Sequence, residues 1–210
     1  NRGMVSAAIS TIFAEPDGPG ARERLHEVAD RLATVEPKVA ERLIAMADDL
    51  LAYAGHVLGP HFKLSSLNAR SINPGCQRTQ PLHADMSALP DERGFWVFNS
   101  LWMLDDFTVD NGTVRYVPGT HHSGQLPADA LENPEADHPD QELVTGQAGT
   151  VLLMNAHLWH GGLPNRTGQP RRALHIFFAR SDRPQQQYQK QLLSGRTQAG
   201  LTDRQRQILA

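Results

Sequence analysis

Phe95-Trp96-Val97-Phe98-Asn99-Ser100-Leu101-Trp102-Met103-Leu104 and, beyond Asn111-Gly112, the run Thr113-Val114-Arg115-Tyr116-Val117 set the fold class. Both runs are rich in β-branched and aromatic residues, and the Asn-Gly pair between them favours a turn. The same texture recurs outward along the chain. It appears at Phe62 to Ile72 and Thr79 to Asp85 on one side, and at Leu143 to Val144, Thr150 to Met154 and Arg172 to Ala179 on the other. Each segment is bounded by Gly, Pro or Asn-Gly. Short strands with no helical pattern between them predict an antiparallel sandwich or barrel, because a parallel sheet needs a long crossover after every strand. Pro164 to Pro170 reads as the turn of a hairpin whose return strand begins at Arg171.

Helical spacing flanks this β region. Leu25, Val28, Ala29, Leu32 and Val35 share one face, and a second helix runs from Pro37 through Val39, Leu43, Ile44, Leu50, Leu51 and Leu58 until Gly59-Pro60 stops it. Beyond Ser181 the chain is rich in Gln and Arg, with one helix start at Thr202 and Gln205 ahead of Ile208 and Leu209. The predicted organisation is a single domain over 1–210, with a helical layer at 1–60, a β core at 62–181 and a tail at 182–210. From Asp129 to Glu142 six acidic residues, no Lys or Arg, and prolines at 134 and 139 predict a solvated, mobile loop.

Composition narrows the class of function. The 210 residues suit one elaborated domain, and a net charge of −3 offers no basic field for a nucleic acid. No apolar run approaches the ~18 residues of a membrane span. Cys76 is the only cysteine, so neither an internal disulfide nor a thiolate zinc cluster can form. No secretory leader follows Asn1, which makes a cytoplasmic location the expectation.

Gln80-Pro81-Leu82-His83-Ala84-Asp85 places an imidazole and a carboxylate two residues apart, on one face if the segment is extended. A third ligand must come from elsewhere. Leu152-Leu153-Met154-Asn155-Ala156-His157-Leu158-Trp159-His160-Gly161-Gly162 offers His157 and His160, whose strand parity is opposite, so one of the two faces the site. Two histidines and one carboxylate on one side of an ion form the facial arrangement of non-haem Fe(II) oxygenases. Trp96, Trp102 and Trp159 read as core packing, and His121 either lines the site or sits exposed in its Pro-Gly-Thr-His turn.

The run from Leu104-Asp105-Asp106-Phe107 through Asn111-Gly112-Thr113-Val114-Arg115-Tyr116-Val117-Pro118-Gly119-Thr120-His121 lies between the His-x-Asp pair and Trp159-His160-Gly161-Gly162-Leu163-Pro164-Asn165. In that order, these motifs resemble the phytanoyl-CoA dioxygenase family of Fe(II)/2-oxoglutarate oxygenases, over roughly Leu67 to Ser181. The resemblance implies a mainly β fold with flanking helices, a double-stranded β-helix (jelly-roll, cupin-like) barrel under a helical N-terminal layer. It assigns His83 and Asp85 as proximal iron ligands and His160 as the distal one, leaving His157 a lining or structural residue. Eleven residues after His160, Arg171 is placed to hold the far carboxylate of 2-oxoglutarate, while Arg172 would face the other way. Gln80 is similar to a glutamine near the co-substrate, and Val114 stands where many relatives carry a hydroxyl. Asp85 itself argues for oxygenation, since halogenating relatives replace this carboxylate with a small residue.

The implied cofactors are Fe(II), 2-oxoglutarate and O2. The implied partner is a small organic substrate of bacterial specialised metabolism, with neither nucleic acid nor membrane involved. Hydroxylation is the default outcome, with cyclisation and desaturation as variants. Two other readings are a cupin-type metal enzyme that does not use 2-oxoglutarate, favoured if Arg171 points into bulk solvent, and a non-catalytic binding module on the same barrel.

Overall fold

In the computed structural model of the protein, which describes residues 49–209, β1 (Phe62–Ile72) pairs antiparallel with β7 (Arg171–Arg180), from Phe62↔Arg180 to Ile72↔Arg171. Between them come β2 (Val97–Met103), β3 (Val114–Tyr116), β4 (Glu142–Leu143), β5 (Val151–Asn155) and β6 (His160–Gly162). They build a four-stranded sheet in the order β1-β7-β2-β5 and a three-stranded sheet in the order β4-β3-β6, antiparallel throughout. The described chain is therefore mainly β with a few short helices.

Register decides which side chains face the cavity described below. Arg171, Ala173, His175 and Phe177 share one face of β7, and their cross-strand partners are Ile72, Arg70, Asn68 and Ser66 of β1. On the other side Ala173, His175 and Phe177 lie opposite Met103, Leu101 and Asn99 of β2, which in turn align Leu101 with Leu152 and Asn99 with Met154 of β5. Leu101, Met103, Phe107, Val144 and Ala173 form one buried cluster; Ala88, Trp96, Val97, Ala156 and Phe177 form another. Burying such groups is the main driving force for the two layers to associate.

The structure corrects three of the expectations from sequence and adds one strand they lacked. Thr79 to Asp85 is not a continuous strand: His83 makes a single bridge to His160, and the chain then turns through a 3-10 helix at Asp85–Ser87. Met86 and Ser87 hold φ of 56° and 51°, a region that L residues other than Asn and Asp rarely enter. Pro164 to Pro170 is not a hairpin turn either, because β6 and β7 lie in different sheets. Asn165 shapes that crossing, donating to Ile72 O and Gln169 O and accepting from the Thr167 N–H and hydroxyl. The Asp129 to Glu142 loop is pinned rather than free, because the buried Arg115 guanidinium donates to the carbonyls of Pro134, Glu135 and Ala136. Finally, β6 is a three-residue strand that no periodicity announced.

Residues 49–58 are helical and end where Gly59 adopts φ +80° and donates to Gly55 O. The rest of the expected N-terminal layer lies outside the described residues. Residues 52–210 group as one compact unit. Its tail carries Gln189–Leu192, Gly195–Ala199 and Asp203–Ile208, the last opened by the reciprocal Thr202–Gln205 capping pair. No helix among the described residues is long and apolar enough to cross a membrane.

Candidate metal centre

Backbone pairing brings the first two imidazoles together. His83 N donates to His160 O at 2.9 Å and His160 N donates to His83 O at 3.0 Å, which leaves the rings 4.4 Å apart between centroids. Asp85 joins them because its N–H is held by Ala156 O as the 3-10 turn begins. One ligand atom from each of His83, Asp85 and His160 lies within 4.8 Å of the others. The His83 Nδ1 lies 2.9 Å from Pro81 O and the His160 Nδ1 2.8 Å from Leu158 O. A carbonyl only accepts, so each Nδ1 carries the proton and each Nε2 keeps its lone pair for a metal.

Those Nε2 atoms stand 3.7 and 3.4 Å from the Asp85 oxygens, spacing that one ion about 2 Å from each donor can bridge. Burial alone would raise the Asp85 carboxyl, but His160 and His83 hold it well below the usual carboxylate range. Burial likewise depresses His160, yet Asp85 outweighs it and the net shift is upward. Asn99 donates from Nδ2 to the second Asp85 oxygen at 2.5 Å, fixing the carboxylate plane. Gly161 lets the two segments meet: a Cβ there would stand 2.7 Å from Gln80 O and 3.1 Å from Pro81 O.

The triad opens into a cavity of about 170 Å³ between the two sheets, also lined by Gln80, Val114, Arg171 and His175. Arg171 is 4% exposed and stacks over Phe107 at 4.2 Å. Among the described residues its guanidinium makes one hydrogen bond, to Gly112 O, and its Nε has no partner; burial pushes its pKa down to about 10. Arg172 is in a different position, because its guanidinium is forked on Asp105 at 2.8 and 2.7 Å and its N–H is bound there too. Of these two arginines only Arg171 lines the cavity, and its guanidinium keeps donors without a partner among the described residues. Gln80 Oε1 accepts from Gly162 N at 3.0 Å, and Gln80 Nε2 lies 3.5 Å from His83 Nε2.

His157 is 2% exposed and has both ring nitrogens engaged, Nδ1 with Asn155 Oδ1 at 2.9 Å and Nε2 with the Trp96 N–H at 3.4 Å. Burial pushes its pKa down to about 4. His121 packs with His122 and Phe95 outside the cavity lining. Trp96 and Trp159 are buried, whereas Trp102 is half-buried on the outward face of β2.

The family model of phytanoyl-CoA dioxygenase (PhyH) matches residues 6–173. The chain belongs to the phytanoyl-CoA dioxygenase family. A curated relative, dioxygenase af480 of Aspergillus fumigatus, is 30% identical over 132 residues, covering 61% of this chain and 40% of that protein. The chain spans less than half the length of the curated relatives it matches. Among solved structures, the non-heme monooxygenase ThoJ in its apo form aligns with a TM-score of 0.56 at 23% identity, over 83% of this chain and 70% of ThoJ. Apo HygX from Streptomyces hygroscopicus aligns with a TM-score of 0.55 at 22% identity, over 80% of this chain and 81% of HygX. HygX has also been solved with iron bound, and with nickel and 2-oxoglutarate bound. These likenesses show a shared fold.

Three residues that sequence reasoning passed over line or support the candidate site. Asn99 orients Asp85. His175 lines the cavity, and its parity with Arg171 on β7 was the available signal. Arg115, 0% exposed, ties the loop at Pro134 to Ala136 onto Gln80 O, while Leu82 N donates to Pro134 O. The loop and the segment carrying His83 are thereby held as one piece.

Proposed function

We propose that the protein is an Fe(II)/2-oxoglutarate-dependent dioxygenase that oxidises a small organic molecule, hydroxylation being the default, with release of succinate and CO2. In this reading the two sheets are the walls of a double-stranded β-helix. His83, Asp85 and His160 hold the iron, and Arg171 binds the far carboxylate of 2-oxoglutarate. One observation carries the reading: a single cavity holds a one-sided His-Asp-His set, with each Nδ1 held by a carbonyl so that both Nε2 atoms face Asp85, and a buried guanidinium whose Nε has no partner among the described residues.

The metal and its keto-acid partner supply the oxidising power, and the chain supplies geometry and charge. Asp85, held ionised by its histidine neighbours and oriented by Asn99, contributes one negative charge to a divalent ion. Arg171 offers a planar fork that matches a carboxylate with two parallel hydrogen bonds, and the stacked Phe107 ring keeps it flat and dry. Leu101, Val114, Leu152 and Met154 line the same cavity and restrict water there. A 2-oxoglutarate-independent enzyme would be favoured by an Arg171 turned to bulk solvent, which is not its position.

The test is succinate formation from 2-oxoglutarate with Fe(II), with and without candidate substrates. Arg171→Met is expected to raise the 2-oxoglutarate requirement by about 100-fold, roughly the 3 kcal/mol of a charge-assisted contact. Arg172→Met, which breaks only the Asp105 pair, should change it less than threefold. Equal effects would remove Arg171 from the proposed role.

A further inference from the structure

Two polar side chains in the cavity have no task in the reading above. Arg70 projects from the inward face of β1 and lines the cavity near solvent, with no hydrogen bond or ion pair among the described residues. His175 projects from the inward face of β7, packs its ring 4.2 Å from that of Phe177, and neither of its nitrogens has a hydrogen-bond partner among the described residues. Arg70 lies opposite Ala173, so His175 is its diagonal neighbour across the β1–β7 pair, about 7–8 Å away by backbone and within reach of a long side chain. Burial pushes the His175 pKa down to about 4, so near neutral pH it offers one N–H and one lone pair.

Charge in the cavity points the same way. Among the described lining residues Asp85 is the one carboxylate, set against Arg70 and Arg171. A divalent ion and Arg171 balance Asp85 and the two carboxylates of 2-oxoglutarate, which leaves Arg70 unmatched. An unmatched cation beside a confined apolar wall attracts an anion more strongly than it would in open water.

We infer that the substrate carries an oxyanion, a carboxylate or a tetrahedral phosphate-like group, held by the Arg70 guanidinium and the His175 N–H at the cavity mouth. This rests on the assignment of Arg171 and the triad to the co-substrate and metal. Arg70 and His175 are then specificity residues, anchoring one end of the substrate so that its apolar remainder lies along the wall toward the metal centre.

The probes are acetate and sulfate, titrated calorimetrically into protein saturated with nickel(II) and 2-oxoglutarate. The wild type is compared with Arg70→Met, Arg70→Lys and Arg171→Met. At least one anion should bind the wild type. Its affinity should fall tenfold or more in Arg70→Met and recover in part in Arg70→Lys, with 2-oxoglutarate affinity kept within twofold in both. Acetate binding more tightly than sulfate marks a carboxylate substrate, and the reverse order marks a tetrahedral one. The inference is overturned if neither anion binds, if Arg70→Met binds it as the wild type does, or if Arg70→Met weakens 2-oxoglutarate instead. Failure of the co-substrate assignment shows separately, as wild-type protein that takes no 2-oxoglutarate.

Discussion

The two sheets differ in how they are held. The four-stranded sheet contains β1 and β7, of 11 and 10 residues, with backbone pairing along nearly their whole length. The three-stranded sheet is made of strands of 3, 2 and 3 residues. So short a ladder cannot position anything alone, and side chains take over. Arg115 clamps four carbonyls, Gln80 accepts from Gly162 N, Thr113 donates its hydroxyl to Val144 O, and Tyr116 OH bonds Glu142. Yet this weaker ladder carries His160 and the bridged His83, whereas the regular sheet carries Arg171, His175 and Asn99. The proposed metal ligands therefore depend on a few polar contacts, and the proposed co-substrate wall depends on sheet register.

That contrast breaks first at Arg115. Arg115→Met leaves four carbonyls without this donor, so it should cost roughly 3–5 kcal/mol in urea unfolding and weaken metal binding as well. Arg115→Lys, which keeps the charge but not the fork, should recover part of both. A change in neither quantity would mean the short sheet stands without its clamp.

A smaller effect is expected where the two sheets join. His157 lies between β5 of one and β6 of the other and stays neutral in the fold down to about pH 4, while the unfolded chain takes up a proton near 6.5. The unfolded state therefore binds more protons across that window, and stability must fall as pH drops from about 6.5 to 4, by something on the order of 3 kcal/mol. Denaturation midpoints measured from pH 7.5 to 4.5 report the slope; His175, also depressed to about 4, adds to it, so His157→Gln should reduce the slope and removal of both histidines should reduce it further.

The smallest effect concerns the turn after Asp85. Ser87 is exposed with φ 51°, so Ser87→Gly should be neutral or stabilise the fold by up to about 1 kcal/mol. Marked loss of stability there would mean that the hydroxyl, and not the backbone, matters in the turn.

The same contrast explains what could be read from the sequence. β1 covers Phe62 to Ile72 even though a register shift between Leu64 and Ser66 interrupts its alternation, and β7 runs one residue beyond Arg172 to Ala179 at each end; both are long enough, and clearly enough bounded, to be read as strands. His83, Asp85 and His160 were named from motif order, and the parity of Arg171 was visible once β7 was recognised. β6 was not visible, since three residues of His-Gly-Gly carry no period, and the close approach of Gly161 to Gln80 that lets the two segments meet appears only in the structure. The pinned acidic loop is not legible in the sequence because its anchor, Arg115, lies on β3, about 20 residues away, and nothing in Thr113 to Val117 shows that its guanidinium is buried. His175 was passed over because neutral buried histidines are common and a cavity wall exists only after two sheets face each other.

The central claim is that His83, Asp85 and His160 hold Fe(II) and that 2-oxoglutarate joins it there. Anaerobic addition of Fe(II) and 2-oxoglutarate tests this directly through the weak visible charge-transfer band of the chelate. The account predicts the band in the wild type and in His157→Ala, and its loss in His160→Ala. Absence of the band in the wild type, or its survival in His160→Ala with loss in His157→Ala, would contradict it.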